Sequence, residues 1–139
     1  MKKLIGNFKG DNLYLTIASY QNNNRIYIGV ETEEELYADV TINLSDAYLL
    51  DDDYIFVNSD MTEDLRYFLE EKNIIGETFS TIQYNMGKYD MVKIDFDILK
   101  EYDFEGFKEY EKYNKYINKD MEIELLWINM MKLKKNIRK

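Results

Sequence analysis

The chain has no cysteine, no histidine and no proline, and a single tryptophan. Without cysteine there are no disulfides, thiolate nucleophiles or thiolate metal sites. Without histidine the usual general base near neutral pH and the commonest zinc ligand are both gone. What survives is carboxylate chemistry, a lysine or tyrosine acting as acid or base, or a hard metal held by oxygen ligands. Long apolar runs are missing too: no stretch approaches the ~20 residues that span a bilayer, and the opening MKKLIGNFKG lacks the apolar run of a signal peptide. The expectation is a cytoplasmic protein with no membrane role.

The residues present are those of a folded protein. Hydrophobic residues make up 45% of the 139 and aromatics 15%, with 13 tyrosines, and a domain of this size can bury roughly 68% of its unfolded surface without staples. Charge is unevenly placed. From Glu31 to Glu111 there are 23 Asp and Glu against 6 Lys and Arg, a local −17 in a chain of net −9. The last eight residues carry Lys132, Lys134, Lys135, Arg138 and Lys139 and no acid, which suits the negative pole of a helix C-terminus. Abundant Lys, Asn, Ile and Tyr with three Ala fits codon bias in an AT-rich genome, but that bias enriches lysine as readily as glutamate and does not explain the acidic segment.

Residues 12–20 and 25–31 alternate Leu13, Leu15, Ile17 and Ile26, Ile28, Val30 with other residues, the period of a half-buried strand. The Asn22-Asn23-Asn24 turn between them makes a hairpin. A third strand at 36–43 has Leu36, Ala38, Val40 and Ile42 on one side and Tyr37, Asp39, Thr41 and Asn43 on the other. Residues 45–53 read as a loop or short strand, and 54–58 as an apolar strand. A helix follows, with Asp60 as its cap, Glu63 as the reciprocal partner and Met61, Leu65, Phe68 and Leu69 on its inner face. Residues 78–85 and 89–96 form a second hairpin around Gly87. From Asp97 the period becomes helical, with breaks expected near Gly106 and at 118–120.

The run 37–44 (YADVTINL), the strand YIFVN at 54–58 and the helix end FLEEKNIIG at 68–76 resemble a small family of domains of unknown function carried on phages, plasmids and conjugative elements of low-GC bacteria. The resemblance covers roughly residues 11–97. Where that family continues with a Gly-Phe and Tyr-Pro hairpin, this chain has Tyr84 to Asp90 and no proline. The resemblance implies a mobile-element setting and supplies no catalytic residues. In such a setting, small acidic proteins without enzymatic motifs are similar to inhibitors of host defence, including anti-CRISPR and anti-restriction proteins.

Four features compete for a functional role. Carboxylates held on a rigid framework can replace phosphates in a basic nuclease channel. The candidate contacts are Glu33, Glu34 and Glu35, Asp51, Asp52 and Asp53, and Glu70 and Glu71, at turns and a helix end. The same charge disfavours direct nucleic-acid binding. Asp51 to Asp53 as a metal site is outweighed by a solvated turn, since consecutive extended side chains alternate in direction and no calcium-loop pattern follows. Asp95 and Asp97 could serve as a metal or acid/base pair, but Asp97 as a helix cap is the simpler account. Tyr110 and Tyr113 offer a protein interface, against ordinary packing, and the basic end could touch an acidic patch on a second copy.

The expected fold is α+β: an antiparallel sheet of about five strands with one packed helix over 1–97, followed by a helical extension over 98–139, packed on the core or swapped between cores. The expected function is non-enzymatic inhibition of a host defence nuclease or other nucleic-acid-binding protein, with no cofactor and no bound metal. A homodimer through the C-terminal helices is left open. The alternatives are a structural or regulatory protein-binding module whose charge only confers solubility, and a carboxylate-metal hydrolase built on Asp95 and Asp97.

Overall fold

In the computed structural model, which describes residues 2–114, the alternating runs pair as antiparallel strands. β1 (Leu4–Phe8), β2 (Asp11–Ser19), β3 (Ile26–Glu31) and β4 (Leu36–Asp39) form one sheet in that order. Leu13, Leu15, Ile17, Ile26, Ile28 and Val30 all turn inward and are buried, as the period of two requires. β1 is an addition that the sequence pattern conceals. Gly6, at φ +157, sits where the β1–β2 register shifts, and a Cβ there would lie 3.2 Å from the Phe68 ring. The bulge therefore lets a helix lie directly on the edge strand.

Beyond β4 the chain leaves this sheet through a further irregularity. The amides of Val40 and Thr41 both donate to the carbonyl of Ile28, at 2.9 and 3.2 Å, so two residues face one. Thr41 is buried, and its hydroxyl accepts from the Ile28 amide and shares a 2.9 Å hydrogen bond with Tyr20. Past this point the chain pairs with β5 (Tyr54–Phe56) and its continuation: Thr41 bridges Val57, Ile42 donates to Phe56 and Asn58 to Val40. A second antiparallel sheet in the order β5, β7 (Gly87–Lys93), β6 (Thr78–Tyr84) follows. One strand thus passes from sheet to sheet through a bulge, the usual way to build a corner.

Helix α1 (Glu63–Glu71) is capped by Thr62, whose hydroxyl accepts from the Leu65 amide, so the cap lies two residues beyond the expected Asp60. Leu65 and Leu69 reach the core. Asn73, at φ 60, ends the helix in the left-handed conformation that asparagine tolerates. Helix α2 (Phe96–Tyr102) is capped by Asp95, whose side chain accepts from the Asp97 amide; Asp97 is in the first turn and is not the cap. After Asp103, α3 covers 104–114.

Asp103 joins these parts. It is 4% exposed; one carboxylate oxygen accepts from the Ile17 amide at 2.9 Å, the other from the Gly106 amide at 3.2 Å, and Lys2 lies 3.8 Å away. β1 begins opposite Tyr14, so it stops short of Ile17, and the aspartate covers the amide the missing strand leaves. The break in the helical region is therefore at Asp103, with Gly106 packed against the Ile17 carbonyl just inside α3.

The fold class is α+β, with two antiparallel sheets of four and three strands in place of one sheet of about five, and three helices among the described residues. Sequence pairing alone treats the meander and second hairpin as neighbours; the bulge at Val40–Thr41 turns them into two sheets. Leu36, expected inward, is 55% exposed, because the β3–β4 register slips between Val30 and Glu31; Thr41, expected outward, is buried, because the bulge at Val40–Thr41 shifts the alternation. The main core takes Ile55, Val57, Val92 and Ile94 from the second sheet and Leu99, Tyr102, Phe107 and Tyr110 from α2 and α3. A smaller cluster of Leu44, Phe56 and Met91 fills the other face of the second sheet under the 43–53 loop. The expected helical stretch beyond 114, its break at 118–120, the dimer contact through it and the basic end lie outside the described residues.

Candidate acidic ends of the sheets

Antiparallel register decides which carboxylates share a surface. β4 leaves the β3–β4 turn, and its continuation runs antiparallel to β5, which starts just after Asp53. Glu33, Glu34 and Glu35 consequently lie at one end of the strands, and Asp51, Asp52 and Asp53 at the other. The −17 segment is not one acidic face.

At the first end the Thr32 hydroxyl accepts from the amides of Glu34 and Glu35, 3.2 Å each, and the Thr32 amide donates to the Glu35 carbonyl. This closed turn holds the three glutamates at the surface. Tyr14 donates its hydroxyl to Glu33 at 3.2 Å, and burial, followed by that glutamate, raises the Tyr14 pKa. With Asp11 and Tyr37 the turn lines an open groove of about 340 Å³. Lys9 bonds Asp64 at 2.9 Å and has its pKa raised by that bond.

At the second end the α1 terminus, with Glu70 and Glu71, meets the start of β6, because the Gly76 amide donates to the Lys93 carbonyl at 2.8 Å. A Cβ on Gly76 would come within 2.6 Å of that carbonyl, so only glycine permits the approach. A cleft of about 760 Å³ opens between Asp53, Glu77, Asp95, Asp97 and the α2 residues Phe96 and Ile98, with Lys93 and Lys100 on its rim. Lys93 lies 3.8 Å from Asp53, and Lys100 3.3 Å from Glu111. Glu70 is held by Arg66 at 3.0 Å, within a network that also joins Arg66 to Asp90 at 2.8 Å. The Thr81 hydroxyl and then Arg66 hold the Asp90 carboxyl below its ordinary range. Among the described residues no ion pair neutralises Glu33, Glu34, Glu35, Asp51, Asp52 or Glu71.

The aromatic candidates separate. Tyr113 is 51% exposed, whereas Tyr110 is 6% exposed and packs against Phe107 at 5.6 Å and Phe96 at 6.2 Å. Burial, reinforced by Asp52 and Asp53, raises its pKa above the usual tyrosine range. Tyr110 is therefore a core residue and not a surface contact, since its helical face is the one turned to the sheet. Among the described residues no three acidic side chains converge to hold a metal ion, and Asp95 is already engaged as a cap. No helix of the described residues is long and apolar enough to cross a membrane.

Sequence reasoning passed over Asp11, which the hairpin returns to the Glu33–Glu35 end, and Glu77, which the second sheet returns to the Asp53 end beside Asp95. The usable signal is strand direction: acids at alternate chain reversals share an end. No curated protein and no solved structure is similar enough to this chain to match it. Residues 14–115 match the family described as a domain of unknown function, DUF4313, a span that runs from β2 through α2 and α3; the chain belongs to that family.

Proposed function

We propose that this chain is a non-enzymatic binding protein whose acidic strand ends dock on the basic surface of a nucleic-acid-binding protein. In its specific form, it is a phage or mobile-element inhibitor of a host defence nuclease, of the anti-CRISPR kind. The observation that supports the reading is the set of surface carboxylates at chain reversals that have no ion-pair partner among the described residues, above all Glu33, Glu34 and Glu35 in their hydrogen-bonded turn. Acids fixed in this way present charge without the entropy cost of ordering a tail, and contacts of this type displace counterions from a lysine- and arginine-lined channel. Tyr113 adds exposed aromatic area.

The test is competition. A host nuclease captured by the chain should lose binding to a labelled DNA or RNA duplex, and the effect should weaken as salt rises. Lysine at 33, 34 and 35 together, or at 51, 52 and 53 together, separates the two ends. Simultaneous binding of chain and duplex, or competition unaffected by either triple variant, would sink the proposal. A second reading, a regulatory protein-binding module with merely solubilising charge, draws on large exposed side chains such as Tyr67 (64%) on α1 and Tyr48 (76%) in the loop before Asp51. For the metal-hydrolase alternative, no group of three or more carboxylates converges among the described residues.

A further inference from the structure

Among the described residues the two sheets together end in β1 and β6, and these two edges are treated differently. β1 is flanked by Lys2, Lys3 and Lys9 and has α1 against it through Gly6 and Phe68, which are common protections for an edge strand. Among the described residues β6 is covered less: Arg66 of α1 reaches its first residue, donating to the Thr78 hydroxyl at 3.2 Å. From Thr78 to Gly87 (TFSTIQYNMG) there is no charged residue, in a chain that is 32% charged. The segment is rich in β-branched and aromatic residues suited to strand pairing.

The register says which backbone groups are free. The β6–β7 hairpin turns through two residues, Asn85 and Met86, so Tyr84 and Gly87 form its first hydrogen-bonded pair. Alternation makes Ile82 and Tyr89 the next such pair, and the amides and carbonyls of Thr81 and Gln83 point away from β7. Both residues are exposed, as are Phe79 (57%) and Met86 at the tip. The register shift around Phe79 limits any added ladder to Ser80–Tyr84.

We propose that β6 pairs antiparallel with β6 of a second copy of this chain, about a two-fold axis through Ile82. Thr81 then faces Gln83 of the partner subunit in both directions, giving four backbone hydrogen bonds, and the two Ile82 residues meet as a non-hydrogen-bonded pair on one face. Past each end of that ladder the exposed Phe79 of one copy comes beside the Asn85–Met86 tip of the other, so exposed apolar side chains cover one another. The repulsion between two −9 bodies acts mostly beyond the ~8 Å Debye length of physiological salt. The inference is independent of the acidic ends and stands or falls without them.

Sedimentation velocity of the full chain tests it. A dimer dissociating in the range of about 1–100 μM is expected, and a protein that stays monomeric to about 1 mM overturns the proposal, including the case where a different protein's strand adds to β6. Thr81→Lys with Gln83→Lys sets lysine against lysine on exposed positions and should give a monomer with an unchanged circular-dichroism spectrum; a surviving dimer refutes the edge. Because the chain has no cysteine, Ile82→Cys supplies an independent readout of register. Facing non-hydrogen-bonded residues lie about 4.5 Å apart at Cα, within disulfide range. Oxidised glutathione should link Ile82→Cys into a covalent dimer far faster than Thr81→Cys, and equal rates would overturn the two-fold register.

Discussion

Replacing Asp103 with alanine tests the junction between β2, α3 and the N-terminal segment. The carboxylate accepts from two amides, Ile17 at 2.9 Å and Gly106 at 3.2 Å, in a site 4% exposed. A hydrogen bond to a charged acceptor contributes about 1.5–3 kcal/mol, and a buried donor left unmet costs in the same range. Gly106 opens a helix and can recover water, so its bond counts at the low end; Ile17 is internal. Together the loss is about 3–4 kcal/mol. Lys2 adds little, because it lies 3.8 Å from the carboxylate, is 32% exposed and is engaged by Glu31 at 2.6 Å. Urea denaturation followed by circular dichroism should show the alanine midpoint lower by roughly 2 M, taking about 2 kcal/mol/M for the slope. The Asp103→Asn variant keeps one acceptor oxygen and should fall about halfway, while Lys2→Met should cost about 1 kcal/mol or less. If alanine costs under about 1 kcal/mol, or if Lys2→Met costs as much as alanine, the aspartate is an ion-pair partner and not the substitute for a missing strand.

Gly106→Ala should destabilise despite the roughly 1 kcal/mol advantage of alanine in a helix, because its Cβ would fall 2.5 Å from the Ile17 carbonyl and against the Asp103 carboxylate; a raised melting temperature would contradict that packing. Thr41→Val keeps the volume but leaves the Ile28 amide without its 3.2 Å acceptor, so a loss of about 2 kcal/mol is expected in the same urea experiment, and a loss under about 0.5 kcal/mol would deny the hydroxyl its role at the corner. Asp90 titrates below its ordinary 3.8, through Thr81 first and Arg66 next. A depressed carboxyl stabilises above its unfolded value and loses that contribution as pH falls through the folded value. Arg66→Met should therefore flatten the stability profile below about pH 4; an unchanged slope there would argue against the coupling.

The hairpin of β2 and β3 was legible because six consecutive inward positions are Leu, Ile or Val, and nothing competes with that pattern. β1 was not, since Gly6 interrupts Leu4, Ile5 and Phe8 at the very point where the register slips. The corner at Thr41 was equally hidden. Its cause is a tertiary hydrogen bond to Ile28, and a bulge changes phase without leaving a mark in composition. For the candidate site, the sequence identified which turns are acidic, and these turns are at the surface. It could not say that they lie at two ends, because that depends on strand direction through the corner. Tyr110 and Tyr113 show the same limit: three residues apart on α3, one is core and the other surface.

Strand length makes the molecule a ruler. β2 has nine residues and β4 with its continuation runs beside β3 and β5, so the Glu33–Glu35 turn and the Asp51–Asp53 turn stand at most about one long strand apart, roughly 30 Å at about 3.3 Å per residue before the bend at the corner. At about 3.4 Å per step this is about nine base pairs of duplex. Under the proposed docking, a groove that holds a shorter stretch of nucleic acid would engage one end of this protein at a time, and a groove that holds a full turn would be bridged by both.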